Sequence, residues 1–224
     1  MIKWLQSVFE SLGASGLAGN AENAYQEKQY PEAKQQASEA LRIYEENSDN
    51  DGILKCLFIL GQSLRQLGDE AEAEKVFERG QKIIGQTASE ERSRTGSTDV
   101  SNLLTAYGNL KKAHNEPAKA EELYRQSLLV LQTMAGGIGP EAAETLHDLG
   151  SICMVKTEYN EAAGYFGQAL QLIEDFPNHW SWLENQTLLH TVLSDYAACM
   201  TKTGRTREGE QLEARAREIR EGLK

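Results

Sequence analysis

Leu146-His147-Asp148-Leu149-Gly150-Ser151-Ile152-Cys153, followed by Tyr159, Ala162, Phe166 and Ala169, is the stretch that decides how the chain is read. Leu146, Leu149 and Cys153 recur at helical spacing, and so do Tyr159, Ala162, Phe166 and Ala169. Gly150, Ala162 and Ala169 carry almost no side chain, so two helices can meet at or inside the usual ~8–10 Å. Leu146, Leu149, Cys153, Tyr159 and Phe166 fill the remaining space. The spacing predicts two helices packed as a hairpin around a tight turn.

Working outward, the small residue of the first helix recurs at positions 21, 61, 108, 150 and 197, at intervals of 40, 47, 42 and 47 residues. Twelve positions later comes Ala33, Ala73, Ala120, Ala162 or, in the last copy, Gly209. A large residue usually follows four further on, and a small one three after that. The period alone fits HEAT or armadillo repeats of ~40–47 residues. The residue pattern decides otherwise. It resembles the tetratricopeptide repeat (TPR), with that family's Trp-x2-Leu-Gly-x2-Tyr…Ala-x3-Phe rewritten as Leu-x2-Leu-Gly-x2-Cys…Ala-x3-Phe. The lead-ins Asp99-Val100 and Gly139-Pro140-Glu141-Ala142-Ala143-Glu144-Thr145-Leu146 are similar to those of the long-period repeats of kinesin light chains.

This resemblance implies an all-α, right-handed superhelical solenoid of five helix-turn-helix repeats, over about 15–50, 51–90, 98–136, 140–176 and 181–224. Ahead of them, Ile2, Leu5, Phe9 and Leu12 share one helical face with Trp4 and Val8 beside it, and Gly13 and Gly16 could end that helix. Residues 1–14 are therefore expected to form a short N-terminal helix capping the open end of the first repeat. Gly68, Asn115 and Gly204 fall where each hairpin should turn, as residues that tolerate a left-handed conformation. Pro31 and Pro117 fall near helix starts, where a missing N–H costs nothing. The polar stretch 85–99 reads as a flexible loop.

Composition narrows the function. A formal net charge of −11 argues against a nucleic-acid partner. The acid is uneven: residues 140–186 hold eight acidic side chains and one basic one. Cys56, Cys153 and Cys199 are odd in number and lack CxxC spacing, so they read as small core residues in a reducing, cytoplasmic compartment rather than as disulfides or a zinc site. Neither a transmembrane run nor a secretory signal is visible. The glycines of 135–140 have no preceding strand and no GKS/T, which excludes a phosphate loop. His114, His147, His179 and His190 are scattered, so no enzyme, metal or cofactor is expected. His147 and Asp148 are the nearest to a titrating pair, but adjacent helix residues do not face each other.

The TPR resemblance also implies where a partner sits, since in that family set positions of the first helices face it. Here they are Lys55, Phe58, Ile59, Gln62, Arg65 and Gln66, then Asn102, Thr105, Asn109 and Lys112. The fourth repeat supplies His147, Asp148, Ser151 and Met154, and the fifth Ser194, Asp195, Thr201 and Lys202. Asp148 and Asp195 would repel the C-terminal carboxylate that one TPR subclass clamps. The aromatic run Phe176 to Trp182 holds Trp180 and Trp182, which either plug the gap between two repeats or form an exposed anchor for a partner. The expected function is a non-catalytic scaffold binding a peptide segment of another protein in a concave groove. A peptide-sensing regulatory module and a self-assembling structural protein are the alternatives.

Overall fold

The structure is a computed structural model, and it describes residues 2–86, 98–133, 139–179 and 181–223, with side chains from Leu12 onward. The hydrophobic face expected at Ile2, Leu5 and Phe9, most of the loops at 85–99 and 135–140, and Trp180 lie outside the described residues. The described residues form ten α-helices: α1 Ile2–Gln26, α2 Tyr30–Glu46, α3 Asn50–Gln66, α4 Glu70–Gln86, α5 Thr98–Ala113, α6 Pro117–Thr133, α7 Ala142–Val155, α8 Tyr159–Asp175, α9 Trp182–Lys202 and α10 Thr206–Gly222. No strand occurs among them. The chain divides into two compact units, residues 1–130 and 131–224.

In the first unit α1 packs on α2, α3 on α4 and α5 on α6, with α3 against both α1 and α5. The α1–α2 contact is a seam of alanines. Ala14, Ala18 and Ala21 meet a helix that buries Ala33, Ala37 and Ala40. This seam explains a departure from expectation. Gly13 and Gly16 do not end a capping helix at residue 14; they sit inside α1, which runs unbroken into the first hairpin. Each glycine weakens a helix by roughly 1 kcal/mol, and burial of one face along the seam offsets that. In the second unit α7 packs on α8 and α9 on α10, with α9 also against α8 and α7.

Three of the hairpins close on a glycine under a ring. A β-carbon added at Gly61 would lie 2.4 Å from the Phe77 ring, at Gly108 2.6 Å from Tyr124, and at Gly150 2.6 Å from Phe166. All three rings are fully buried. The fifth hairpin inverts the device. Ala197 takes the first-helix place, and the glycine moves to the second helix as Gly209, whose added β-carbon would lie 2.9 Å from the Ala197 carbonyl oxygen.

All five turns are alike. Lys28, Gly68, Asn115, Thr157 and Gly204 each have positive φ, between 60° and 82°. The next residue's N–H reaches five residues back, as in Asp69 to Leu64 (2.9 Å) and Glu158 to Cys153 (2.8 Å). The pattern is a Schellman ending repeated at each hairpin. Glycine and asparagine suit this position, but Thr157 is β-branched and costs about 1–2 kcal/mol there. Thr157→Gly should therefore stabilise the second unit by roughly 1 kcal/mol. A thermal midpoint no higher than that of the wild type would show that the threonine side chain makes up the difference.

Candidate functional site

The first helices of the first unit bring several of the expected partner-facing residues together. On α3, Lys55, Phe58, Gln62 and Arg65 are half-buried and Gln66 is exposed; on the adjacent α5, Asn102 and Lys112 are exposed. Lys55 reaches back to Glu22 of α1 (2.8 Å). Burial raises the Asp99 carboxyl, partly countered by the nearby Lys55 ammonium. Arg65 donates to Gln62 (3.1 Å), and Gln66 bonds the Tyr25 hydroxyl, whose pKa burial raises. The result is a polar row of amides and cations over a closed apolar core.

Three expected contacts belong to the fold instead. Ile59 is only 3% exposed and packs in the core. Thr105 shares a hydrogen bond with Ser127 of α6 (2.9 Å), and the Tyr124 hydroxyl donates to the Asn109 side-chain oxygen (2.7 Å). Thr105 and Asn109 thus hold α5 onto α6. Sequence offsets could not show this, because the same position is free or engaged according to what the second helix carries.

In the second unit His147 pairs with Asp195 of α9, Nε2 to Oδ2 at 2.7 Å. Its ring lies 5.7 Å from that of Phe166. The Ser151 hydroxyl donates to the His147 backbone oxygen (3.0 Å), so this serine is not aligned on the imidazole as a nucleophile would be. Lys202 lines an open cleft of about 450 Å³ with Glu158, Tyr159 and Glu161. Trp182 is exposed, which removes it from a role as plug.

The three cysteines are buried, and none is in a disulfide. Burial pushes the Cys56 thiol up to about 12. It also raises Cys199, whose thiol donates to the Tyr159 carbonyl (3.0 Å). Cys153, Glu158 and Glu161 bring their ligand atoms within 4.8 Å of one another, but Lys156 already neutralises Glu158 at 2.8 Å. No described helix is long and apolar enough to cross a membrane.

These hairpins, their turns and their glycine-ring contacts define the class, and the comparisons agree. Residues 14–86 match the tetratricopeptide repeat family. Residues 14–86 thus carry tetratricopeptide repeats, and the described residues of the chain share an all-α fold with solved repeat proteins. BtubC (BKLC) from P. vanneervenii shares the fold at 16% identity and a TM-score of 0.79, over 99% of this chain and 85% of that one. A Podosopora anserina protein with nearly identical TPR-like repeats of kinesin light chain type does so at 17% and 0.66, over 94% and 95%. A Rap protein complexed with Competence and Sporulation Factor gives 16% and 0.63, over 96% of this chain and 65% of that one. No curated protein matches this sequence. Stacked repeats of this class present extended surfaces used to bind other proteins.

Proposed function

We propose that the chain is a non-catalytic interaction scaffold that holds an extended peptide segment of a partner protein along α3 and α5 of its first unit. The observation that carries this reading is the row Lys55, Gln62, Arg65, Gln66, Asn102 and Lys112, exposed or half-exposed on two adjacent helices. Amide and guanidinium groups at these places can bond a peptide backbone whatever its side chains. In the second unit, taken by itself, His147, Ser151 and Lys202 are the corresponding candidates. The buried thiols suit a reducing cytoplasm. The Rap complex, similar in fold, supports a second reading as a module that senses a bound factor.

Peptides about twelve residues long, selected from a displayed library on the wild-type chain, test the proposal. The Arg65→Ala/Lys112→Ala double variant should bind them about tenfold more weakly or worse, with an unchanged helical circular dichroism spectrum. Equal binding by the variant, or a library that yields no binder, would remove the groove assignment.

A further inference from the structure

The start of α9 has no role in the groove, yet it and the residues just before it leave three large apolar side chains exposed. Trp182 is 64% exposed, Leu183 60% and Phe176 44%. Exposed large apolar side chains gathered in one place mark interaction sites. Here the start of the helix is tied by hydrogen bonds. The Ser181 hydroxyl accepts from the Glu184 N–H (3.3 Å), and the Glu184 carboxylate accepts from the Ser181 N–H (3.0 Å), forming a capping box. Buried Asn185 donates to the Pro177 carbonyl (3.3 Å) and so ties the loop behind Phe176 to the first turn of α9. A surface already fixed in place loses little entropy when a partner docks.

The rim of this patch is acidic. Glu174 and Asp175 precede Phe176, and Glu184 follows Leu183. Between residues 140 and 186 Lys156 is the one basic side chain, and it is paired with Glu158 at the other end of α7. Glu174 is already paired with Arg215 of α10, so Asp175 and Glu184 carry the charge of the rim. Burial raises the Glu144 carboxyl, and Asp148 and Glu184 raise it further, as a site of accumulated negative potential would. An exposed indole is the best aromatic acceptor for a cation.

We propose that Phe176, Trp182 and Leu183, with the rim Asp175 and Glu184, form a docking surface for a partner-protein segment in which arginine or lysine alternates with aliphatic residues. The aliphatic side chains cover Leu183 and Phe176. The cations lie over the Trp182 ring and toward the carboxylates.

The test uses the full chain with Trp4→Phe and Trp180→Phe, so that Trp182 is the reporting indole. The probe is acetyl-(Arg-Leu)4-amide, titrated by fluorescence and calorimetry, with acetyl-(Glu-Leu)4-amide as the charge-reversed control. The cationic probe should bind. Trp182→Ser/Leu183→Ser, followed by calorimetry, should weaken it by about tenfold or more. Glu184→Gln, which keeps the capping box, should weaken it less and reduce its salt dependence. The groove variant Arg65→Ala/Lys112→Ala should leave it unchanged, which separates this surface from the groove. Circular dichroism checks that each variant is folded. The proposal is overturned by absence of binding, equal binding of the acidic probe, or insensitivity to the patch variant. It is equally overturned if the patch instead holds phosphatidylserine vesicles, or a second copy of this chain in light scattering.

Discussion

Lys111→Ala is expected to cost the first unit about 3 kcal/mol, near the lower end of the range for breaking a buried ion pair. Lys111 is only 2% exposed. Burial alone would lower its pKa, but the carboxylates of Glu74 and Glu116 win, and the net shift is upward. Its ammonium pairs with Glu74 of α4 and with Glu116 at 3.0 Å, and it lies 5.5 Å from the centre of the Tyr107 ring. Alanine leaves a void there and strips both carboxylates of their cation. The two glutamates are partly exposed and can rehydrate, which is why the low end of the range applies. Lys111→Met fills the space and should recover more than half of the loss. Urea unfolding followed by circular dichroism measures both variants.

Acid gives the same interaction an independent reading. The hydrogen bond from Lys111 lowers the Glu74 pKa. A carboxyl depressed in the folded state contributes stability above its unfolded value of about 4.3 and loses it as pH falls through the lowered one. The gap between wild type and Lys111→Ala should therefore be full at neutral pH and shrink in acid below the ordinary glutamate range. A gap that stays constant down to about pH 3 would mean that the lysine acts through packing and not through its charge.

Phe166→Ala should destabilise the second unit by about 3–5 kcal/mol, the usual cost of deleting a fully buried ring. Phe166 is inaccessible to solvent, faces His147 at 5.7 Å and Tyr196 at 6.3 Å between ring centres, and covers Gly150. A cycle with Gly150→Ala sharpens the test. In the wild type the added methyl meets the ring at 2.6 Å, so it should destabilise despite the better helix propensity of alanine. In the Phe166→Ala background the same methyl enters the cavity and should stabilise. Coupled neighbours give such non-additivity, and two independent costs would contradict the contact.

Most of the hairpin architecture is legible in the sequence, because a close helix contact admits few residue types. Gly61, Gly108 and Gly150, each twelve positions before an alanine, locate the contacts. Gly68, Asn115 and Gly204 locate three of the turns. Lys28 and Thr157 adopt the same turn conformation and are silent in sequence, since neither prefers it; the repeat geometry imposes it on them. Lys111 is harder still. Its position in the repeat is the one that Leu64, Cys153 and Met200 fill as core residues, and only the approach of Glu74, from another hairpin, shows how a lysine is accommodated there. The candidate site is less legible than the fold. Which side chains face a partner depends on whether the second helix engages them, as Tyr124 engages Asn109 and Ser127 engages Thr105. His147 likewise finds its partner at Asp195, 48 residues away.

The inverted glycine of the fifth hairpin limits how such a chain can be recombined. A hybrid of α9 with α8 would set the Ala197 methyl under the Phe166 ring, where the native hairpin has the bare Gly150. A hybrid of α7 with α10 would set Gly150 against Gly209 and leave a gap at the crossing. Single helices are therefore not exchangeable parts here. The smallest unit that can be duplicated, shuffled or grafted without a packing fault is the whole hairpin, and an engineer lengthening this chain should copy it as such.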